Sequence, residues 1–132
     1  MNPILIEGYS LEEILSFSDE LIDAYLLTDE PIVLKAGTAE ILGRFRIVDK
    51  SLVIELAQIE GGGEGVLPSL YILAKRYAVQ RELMSIEWIV HAVTCAKPNL
   101  KLRRILELRG FAVKYIEGVG ECYHLIQVLT SS

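Results

Sequence analysis

The chain has 132 residues, of which 52% are hydrophobic and 23% charged, a balance typical of a single globular domain covering residues 1–132. The formal net charge of −5 argues against non-specific nucleic-acid binding, which depends on clustered lysine and arginine side chains. No apolar run reaches the roughly 18 residues that a membrane-spanning helix needs, so we expect no membrane insertion.

The N-terminal stretch lacks the basic segment of a secretion signal and soon becomes acidic. The two cysteines, Cys95 and Cys122, lie far apart and lack the spacing of a metal site. We therefore expect a cytoplasmic protein with reduced thiols and no bound metal.

The N-terminal part predicts a short strand followed by a helix. Residues 3–6 are apolar, and Ser10 with Glu13 forms the capping-box pattern of a helix N-terminus. Apolar residues then recur at helical spacing as far as Leu26. The helix is expected to end before Pro31, because the residue preceding a proline disfavours helical conformation.

Three strands follow, over residues 32–35, 39–48 and 52–59. The second is predicted to be interrupted at Gly43, and turn residues join it to the third as a hairpin. The third is apolar on both sides except at Glu55 and Gln58. It is therefore predicted to lie within the sheet, with cover on each face.

The C-terminal half predicts a helix over residues 66–83, a strand over 86–95, a helix over 98–109 and a hairpin over 111–129. Gly110 is typical of a helix C-terminus. The first of these helices is expected to bury Leu67, Leu70, Ala74, Tyr77 and Ala78. The whole chain then has the element order β-α-β-β-β-α-β-α-β-β.

The junction before the first of these helices is rich in glycine, with Gly61, Gly62, Gly63 and Gly65. Glycines bring backbone N–H groups close to an anion, and a helix N-terminus adds unpaired donors and a favourable dipole. A flexible turn is the simpler interpretation, but the position between a buried strand and a helix favours phosphate binding.

Two common phosphate motifs fit this junction poorly. A dinucleotide fingerprint requires a third glycine where Val66 stands, and antiparallel strands precede the junction here. A P-loop requires lysine and then serine or threonine after the glycines, where this chain has Val66 and Leu67.

A third motif matches, and it resembles that of the GNAT superfamily, the Gcn5-related N-acetyltransferases. The pyrophosphate loop of this family reads Q/R-x-x-G-x-G/A, and it is matched by Gln58-Ile59-Glu60-Gly61-Gly62-Gly63. A second register remains open, with Glu60 in the first position and the two glycines at Gly63 and Gly65. We prefer the first register.

A further GNAT feature is an asparagine that opens the next helix, followed at fixed spacing by apolar residues and Gly-Phe. Its counterparts are Asn99, Leu102, Ile105, Leu106, Gly110 and Phe111. The resemblance covers nearly the whole chain. It implies an α/β fold with a mixed, mostly antiparallel central sheet and helices on both faces.

The resemblance also implies acetyl-CoA as co-substrate. A bulge at Gln58 and Ile59 would offer backbone groups to the pantetheine arm and the thioester carbonyl. The loop N–H groups would hold the pyrophosphate; this loop comprises Gly61, Gly62, Gly63, Glu64, Gly65 and Val66. Asn99 would orient the pantetheine. The basic side chains Lys101, Arg103 and Arg104 form either a solvated helix face or a contact with the 3′-phosphate.

The chain departs from the family at Leu106. Many members have a tyrosine at this position that protonates the leaving thiolate, and leucine has no proton to give. Acyl transfer can still proceed, because a thiolate is a tolerable leaving group that water can protonate.

Glu55 is the candidate general base, since burial in an apolar strand would raise its pKa toward a useful value. An alternative of equal weight is a structural carboxylate that faces a polar neighbour across the sheet. The other titratable side chains considered are Glu60, Glu64, His91, Tyr71 and Tyr123. We interpret these as solvent-facing loop acids, a core histidine and core aromatics.

The leading hypothesis is an N-acyltransferase that moves an acetyl group from acetyl-CoA to an amine, from a small molecule or a protein. The alternatives are a catalytically silent acyl-CoA-binding module and a structural domain without ligand. A homodimer is among the assemblies that we expect.

Overall fold

The computed structural model describes residues 4–36, 39–60, 66–91 and 100–129. Its elements are β1 (Ile4–Ile6), β2 (Tyr9–Ser10), α1 (Leu11–Leu15), α2 (Asp19–Tyr25), β3 (Ile32–Ala36), β4 (Ala39–Val48), β5 (Ser51–Glu60), α3 (Val66–Gln80), β6 (Ser85–Val90), α4 (Leu100–Leu108), β7 (Ala112–Ile116) and β8 (Gly120–Val128). The predicted order is confirmed, apart from the short β2 and the division of the first helix.

The described strands form one eight-stranded sheet in the order β2-β1-β3-β4-β5-β6-β8-β7. Among them, β5 and β6 pair in parallel and the other neighbours pair antiparallel. A parallel pair needs a crossover connection, which α3 provides. The predicted α/β class with a mixed, mostly antiparallel sheet is confirmed.

The first predicted helix is two helices. Ser10 and Glu13 do form the capping box at the start of α1, with reciprocal bonds of 3.1 Å. The prediction of one helix as far as Leu26 is wrong, because α1 ends after five residues and Ser18 begins α2. The Ser18 hydroxyl accepts a hydrogen bond from the N–H of Leu21 at 3.2 Å, which caps the new helix.

The main core lies on one face of the sheet, which we call the first face. On β5 it includes Leu52, Ile54 and Leu56, and all four described helices contribute buried side chains to the same cluster. The predicted inward stripe of α3 is confirmed, since Leu67, Leu70, Ala74, Tyr77 and Ala78 are buried. Within the described residues, the expected cover by helices is therefore seen on this face.

The opposite face, the second face, carries a smaller buried cluster of Val53, Ile89 and Cys122. Ile116 and Val119, at the tip of the β7–β8 hairpin, pack against it. Side chains alternate between the faces along a strand, so Glu55 also belongs to the second face, between Ile54 and Leu56 of the main core.

The predicted ends of two C-terminal elements were only partly correct. Gly110 ends α4 as expected, with φ of 94° and a 3.0 Å bond from the N–H of Phe111 to the carbonyl of Leu106. The strand predicted for residues 86–95 ends at Val90, so His91 lies beyond it. The rest of that prediction, and the residues proposed to open α4, lie outside the described residues.

Gly43 does not interrupt β4, contrary to the prediction, and its small size is needed for packing. A Cβ atom there would lie 2.6 Å from Leu34 Cδ1 on β3.

We expect Gly43→Ala to lower the free energy of unfolding by roughly 1–2 kcal/mol, as overpacking does. Urea denaturation measures this change. Shortening the neighbour in Gly43→Ala/Leu34→Val should cost less than the two single changes together; strict additivity would contradict the packing explanation.

Candidate functional site

The end of β5 carries a register irregularity. Glu40 of β4 pairs with Glu60, whereas Leu42 pairs with Ala57, so β5 has one more residue than β4 in this interval. The extra residue falls at Gln58–Ile59, where the resemblance implied a bulge. Such a bulge turns backbone groups out of the ladder, which makes them available to a ligand.

The helix after this strand begins at Val66 and runs for 15 residues. Its first turn contains no acidic residue, so its unpaired N–H groups and positive dipole end are not neutralised by a carboxylate within the helix. Pro68 lies within that turn, where a missing N–H costs no helical bond. The remaining predicted ligand-binding positions, Gly61, Gly62, Gly63, Glu64, Gly65 and Asn99, lie outside the described residues, as do the side chains of Gln58, Ile59 and Val66.

The paired region between β5 and β6 also ends near this junction. The parallel ladder runs as far as Leu56 and Val90, and the N–H of His91 then bonds to the carbonyl of Leu56 at 2.8 Å. β5 continues to Glu60, beyond the last described pair. The irregular end of β5 and the end of this ladder therefore lie at the carboxyl end of the same strand, from which the chain leads to α3.

Glu55 lies close to this end of β5 on the second face, with its side chain 18% exposed. Its Oε2 atom is 2.6 Å from His91 Nε2. Its Oε1 atom is 3.5 Å from Arg46 Nη1 and 3.8 Å from Arg44 Nη1. Arg44 is the direct cross-strand neighbour of Glu55.

These neighbours reverse the expected direction of the Glu55 pKa. Burial by itself raises the pKa, as expected from the sequence, but the hydrogen bond and charge of His91 and the charges of Arg44 and Arg46 outweigh it. The pKa of Glu55 is lowered. Glu55 is therefore an ionised carboxylate with polar neighbours, and the expected rise of its pKa is wrong.

Arg44, Arg46 and Asp29 were missed in the sequence. Arg44 Nε and Arg46 Nη1 lie 3.8 and 3.9 Å from Asp29 Oδ1, which completes a charged cluster around Glu55. The signal was the alternation of two arginines with the buried Phe45, which places both on one face of β4. That these arginines lie opposite Glu55 becomes known only from the register between β4 and β5.

Three of the other candidates have structural partners; Glu64 and the Glu60 side chain lie outside the described residues. His91, expected to be a core histidine, is half-buried and bonds to Glu55. The Tyr123 hydroxyl donates to Glu107 at 3.1 Å, and Lys75 lies over the ring of Tyr71. Leu106 is 0% exposed within the main core, so a tyrosine there would overpack it.

A second histidine–carboxylate pair lies on the same face. His124 Nε2 is 2.7 Å from Glu87 Oε2, and Glu87 pairs with Val53 on the neighbouring strand. Two arginines lie beside Glu55, whereas no ion pair among the described residues joins Glu87 to an arginine. The two pairs thus provide a matched comparison.

Acid should destabilise the protein through Glu55 and Asp23. Burial opposes ionisation of Asp23, but hydrogen bonds from Tyr77 and Arg81 outweigh this and lower its pKa. A carboxylate with a lowered pKa in the folded state stabilises it above the unfolded pKa of about 4, and this stabilisation is lost as the pH falls. We expect the free energy of unfolding to decline below about pH 4.5. Glu55→Gln should reduce this decline, which urea titrations at several pH values measure. An unchanged dependence of the unfolding free energy on pH would contradict the lowered pKa of Glu55.

In the described ranges, no group of three or more metal-ligating side chains is arranged to hold a metal ion. Likewise, no described helix is long and apolar enough to cross a membrane.

Comparisons with known proteins bear on the fold. No protein-family profile matches the sequence, and no curated protein matches it. The structure is similar to that of Ard1 from Thermoplasma volcanium, with a TM-score of 0.51 and 12% identity over 98% of this chain and 99% of that one. It is also similar to PaiA N-acetyltransferase from Thermoplasma acidophilum, solved in complex with coenzyme A, with a TM-score of 0.45 and 14% identity over 92% and 97% of the two chains. Because the similarity to Ard1 extends over nearly the full length of both chains, we conclude that the chain has the GNAT fold.

Proposed function

We propose that this protein is an acyl-CoA-dependent N-acyltransferase that moves an acetyl group from acetyl-CoA to an amine. The observation that carries the proposal is the β5–α3 junction. There, a strand with one extra residue leads through the glycine-rich residues 61–65 to a 15-residue helix without an acidic first turn. An anionic pyrophosphate suits this combination of bare N–H groups and positive dipole. The GNAT fold supports the same assignment.

The proposed ligand contacts follow the motif. The N–H groups of residues 61–66 hold the pyrophosphate, backbone groups at Gln58 and Ile59 orient the pantetheine arm, and Asn99 contacts it from the other side. Acetyl-CoA supplies an acetyl thioester, whose carbonyl carbon is open to attack by an amine.

Glu55 is proposed to accept the proton that the amine loses on attack, directly or through a water molecule. Its lowered pKa makes it a weak base, so it does not deprotonate a free ammonium group efficiently. The amine must therefore enter in its neutral form. Once its nitrogen has bonded to carbon, its N–H is far more acidic, and an ionised carboxylate suffices. The leaving thiolate takes its proton from water, since Leu106 has none to give.

A catalytically silent acyl-CoA-binding module is the second candidate. Two observations favour it: the buried Leu106 stands at the position of the family tyrosine, and Glu55 is held by three cationic or hydrogen-bonding neighbours. Such a module would bind the thioester without transferring the acyl group.

Titration with acetyl-CoA tests the proposal. We expect acetyl-CoA to raise the free energy of unfolding by roughly 2–3 kcal/mol at a hundredfold excess over its dissociation constant. Thermal-shift or calorimetric titration measures this, with adenosine as a control that lacks the pyrophosphate. The absence of any shift at millimolar acetyl-CoA would rule out both candidates and leave a structural domain. Binding without acylation of any amine in a broad screen would select the silent module.

A further inference from the structure

Arg44 and Arg46 form a pair of adjacent guanidinium groups on the second face, which we call the arginine pair. Both lie within 4 Å of the same two carboxylate oxygens, Glu55 Oε1 and Asp29 Oδ1. Two cations are thus held side by side next to Glu55, the group that we propose as the base.

The hydrogen-bonding capacity of this pair is little used. Charge-assisted bonds from arginine to carboxylate are about 2.7–2.9 Å long, whereas the four contacts here measure 3.5–3.9 Å. Within the part of the chain that the structure describes, neither Arg44 nor Arg46 makes a side-chain hydrogen bond. The short 2.6 Å contact of Glu55 goes to His91 instead. Each guanidinium presents five donors in a planar fork that matches a carboxylate.

We propose that the arginine pair binds a carboxylate of the acyl acceptor, so that the acceptor is a compact amine bearing a carboxylate, such as an amino acid. This inference rests on the proposed function, because it takes Glu55 as the group beside the acceptor amine. Hydrogen bonds of about 2.8 Å at each end, with 3.5 Å between Glu55 Oε1 and Arg46 Nη1, limit the separation of amine and carboxylate to about 9 Å.

Asp29 occupies the outer side of the arginine pair. Its side chain is 63% exposed and its contacts with both arginines exceed 3.7 Å, so an incoming carboxylate can replace it. Asp29 and Glu55 together balance the charge of the two arginines. Removing the charge of Asp29 should therefore strengthen the attraction of the pair for an anion.

The first test needs no acetyl-CoA. β-Alanine and its amide, which keeps the amine but lacks the carboxylate, are each titrated against the parent protein and against Arg44→Gln/Arg46→Gln. A control, Lys50→Gln/Arg76→Gln, loses the same charge at exposed positions. Thermal shift measures stabilisation. We expect the parent and the control to bind the acid with a dissociation constant at least tenfold lower than that for the amide. The arginine variant should lose this difference. Asp29→Asn should tighten binding of the acid several-fold.

The second test measures thiol release from acetyl-CoA with the same two amines. The parent should prefer the acid by roughly 10–100-fold in kcat/KM, and the arginine variant should lose that preference while still binding acetyl-CoA. Equal use of acid and amide by the parent, or a preference that survives in the arginine variant, would overturn the inference. Stronger stabilisation by O-phosphoethanolamine than by β-alanine would overturn the carboxylate assignment in favour of phosphate. If acetyl-CoA neither binds nor reacts, yet the arginine-dependent stabilisation by β-alanine persists, the carboxylate site stands and the proposed function fails.

Discussion

Glu55→Gln is expected to lower the rate of amine acetylation by about 100-fold at neutral pH, while acetyl-CoA affinity stays within about twofold of the parent. General bases contribute roughly 10²–10⁴-fold, and the lowered pKa of Glu55 places its contribution at the weak end of this range. Glutamine keeps the size of the side chain and can still bond to His91, so the fold should persist. Single-turnover thiol release measures the effect.

Glu87→Gln is the matched control for this change. Glu87 also lies on the second face and bonds to a histidine, His124, at 2.7 Å, but it lies outside the charged cluster. The Glu87→Gln variant should acetylate amines at the parent rate. Equal losses in the two variants would assign both carboxylates to stability alone, and parental activity in Glu55→Gln would make Glu55 structural.

The pH dependence of the acetylation rate gives a further test of whether Glu55 is the base or a structural carboxylate. Because the pKa of Glu55 is lowered, its protonation limits the rate only below the ordinary pKa of a glutamate, about 4.3, well under the working range. The rate should instead rise with pH toward the pKa of the acceptor amine, since that amine must arrive neutral. A rate limb near pH 6–7 that disappears in Glu55→Gln would show that the Glu55 pKa is raised in the complex, contrary to the structure.

Gly63→Asp is expected to weaken acetyl-CoA binding by about 100-fold. Gly63 belongs to the motif in both registers, so the prediction holds whichever is correct. A side chain there blocks close approach of the backbone, and its charge repels the pyrophosphate. Losing one hydrogen bond to a charged group costs about 1.5–3 kcal/mol, and loss of the favourable dipole interaction adds to this. Isothermal titration calorimetry measures the affinity.

Gly8→Asp serves as the control for affinity alone: Gly8 lies in the turn between β1 and β2 with open space around its Cβ position, but its φ of 85° makes a substitution there strained. It introduces the same residue far along the sheet from β5. Two milder variants then distinguish the registers: Gly61→Ala should matter in the first and Gly65→Ala in the second. Unchanged affinity in Gly63→Asp would end the assignment of this loop to the pyrophosphate.

The sequence by itself determined the elements whose signals are local. The capping box at Ser10 and Glu13, the buried stripe of α3 and the stop of α4 at Gly110 all depend on residues within a few positions of one another. The position of the glycine-rich junction follows for the same reason. The break between α1 and α2 was missed although Ser18 marks it, because the apolar periodicity continues across it.

Only the tertiary structure decided the surroundings of Glu55. Alternation along β4 tells which face Arg44 and Arg46 share, but not which strand or residue lies opposite them. Burial alone predicted a raised pKa, whereas His91 and the two arginines lower it. The sign of a pKa shift depends on charges that lie close in space and distant in sequence, so no local pattern contains it.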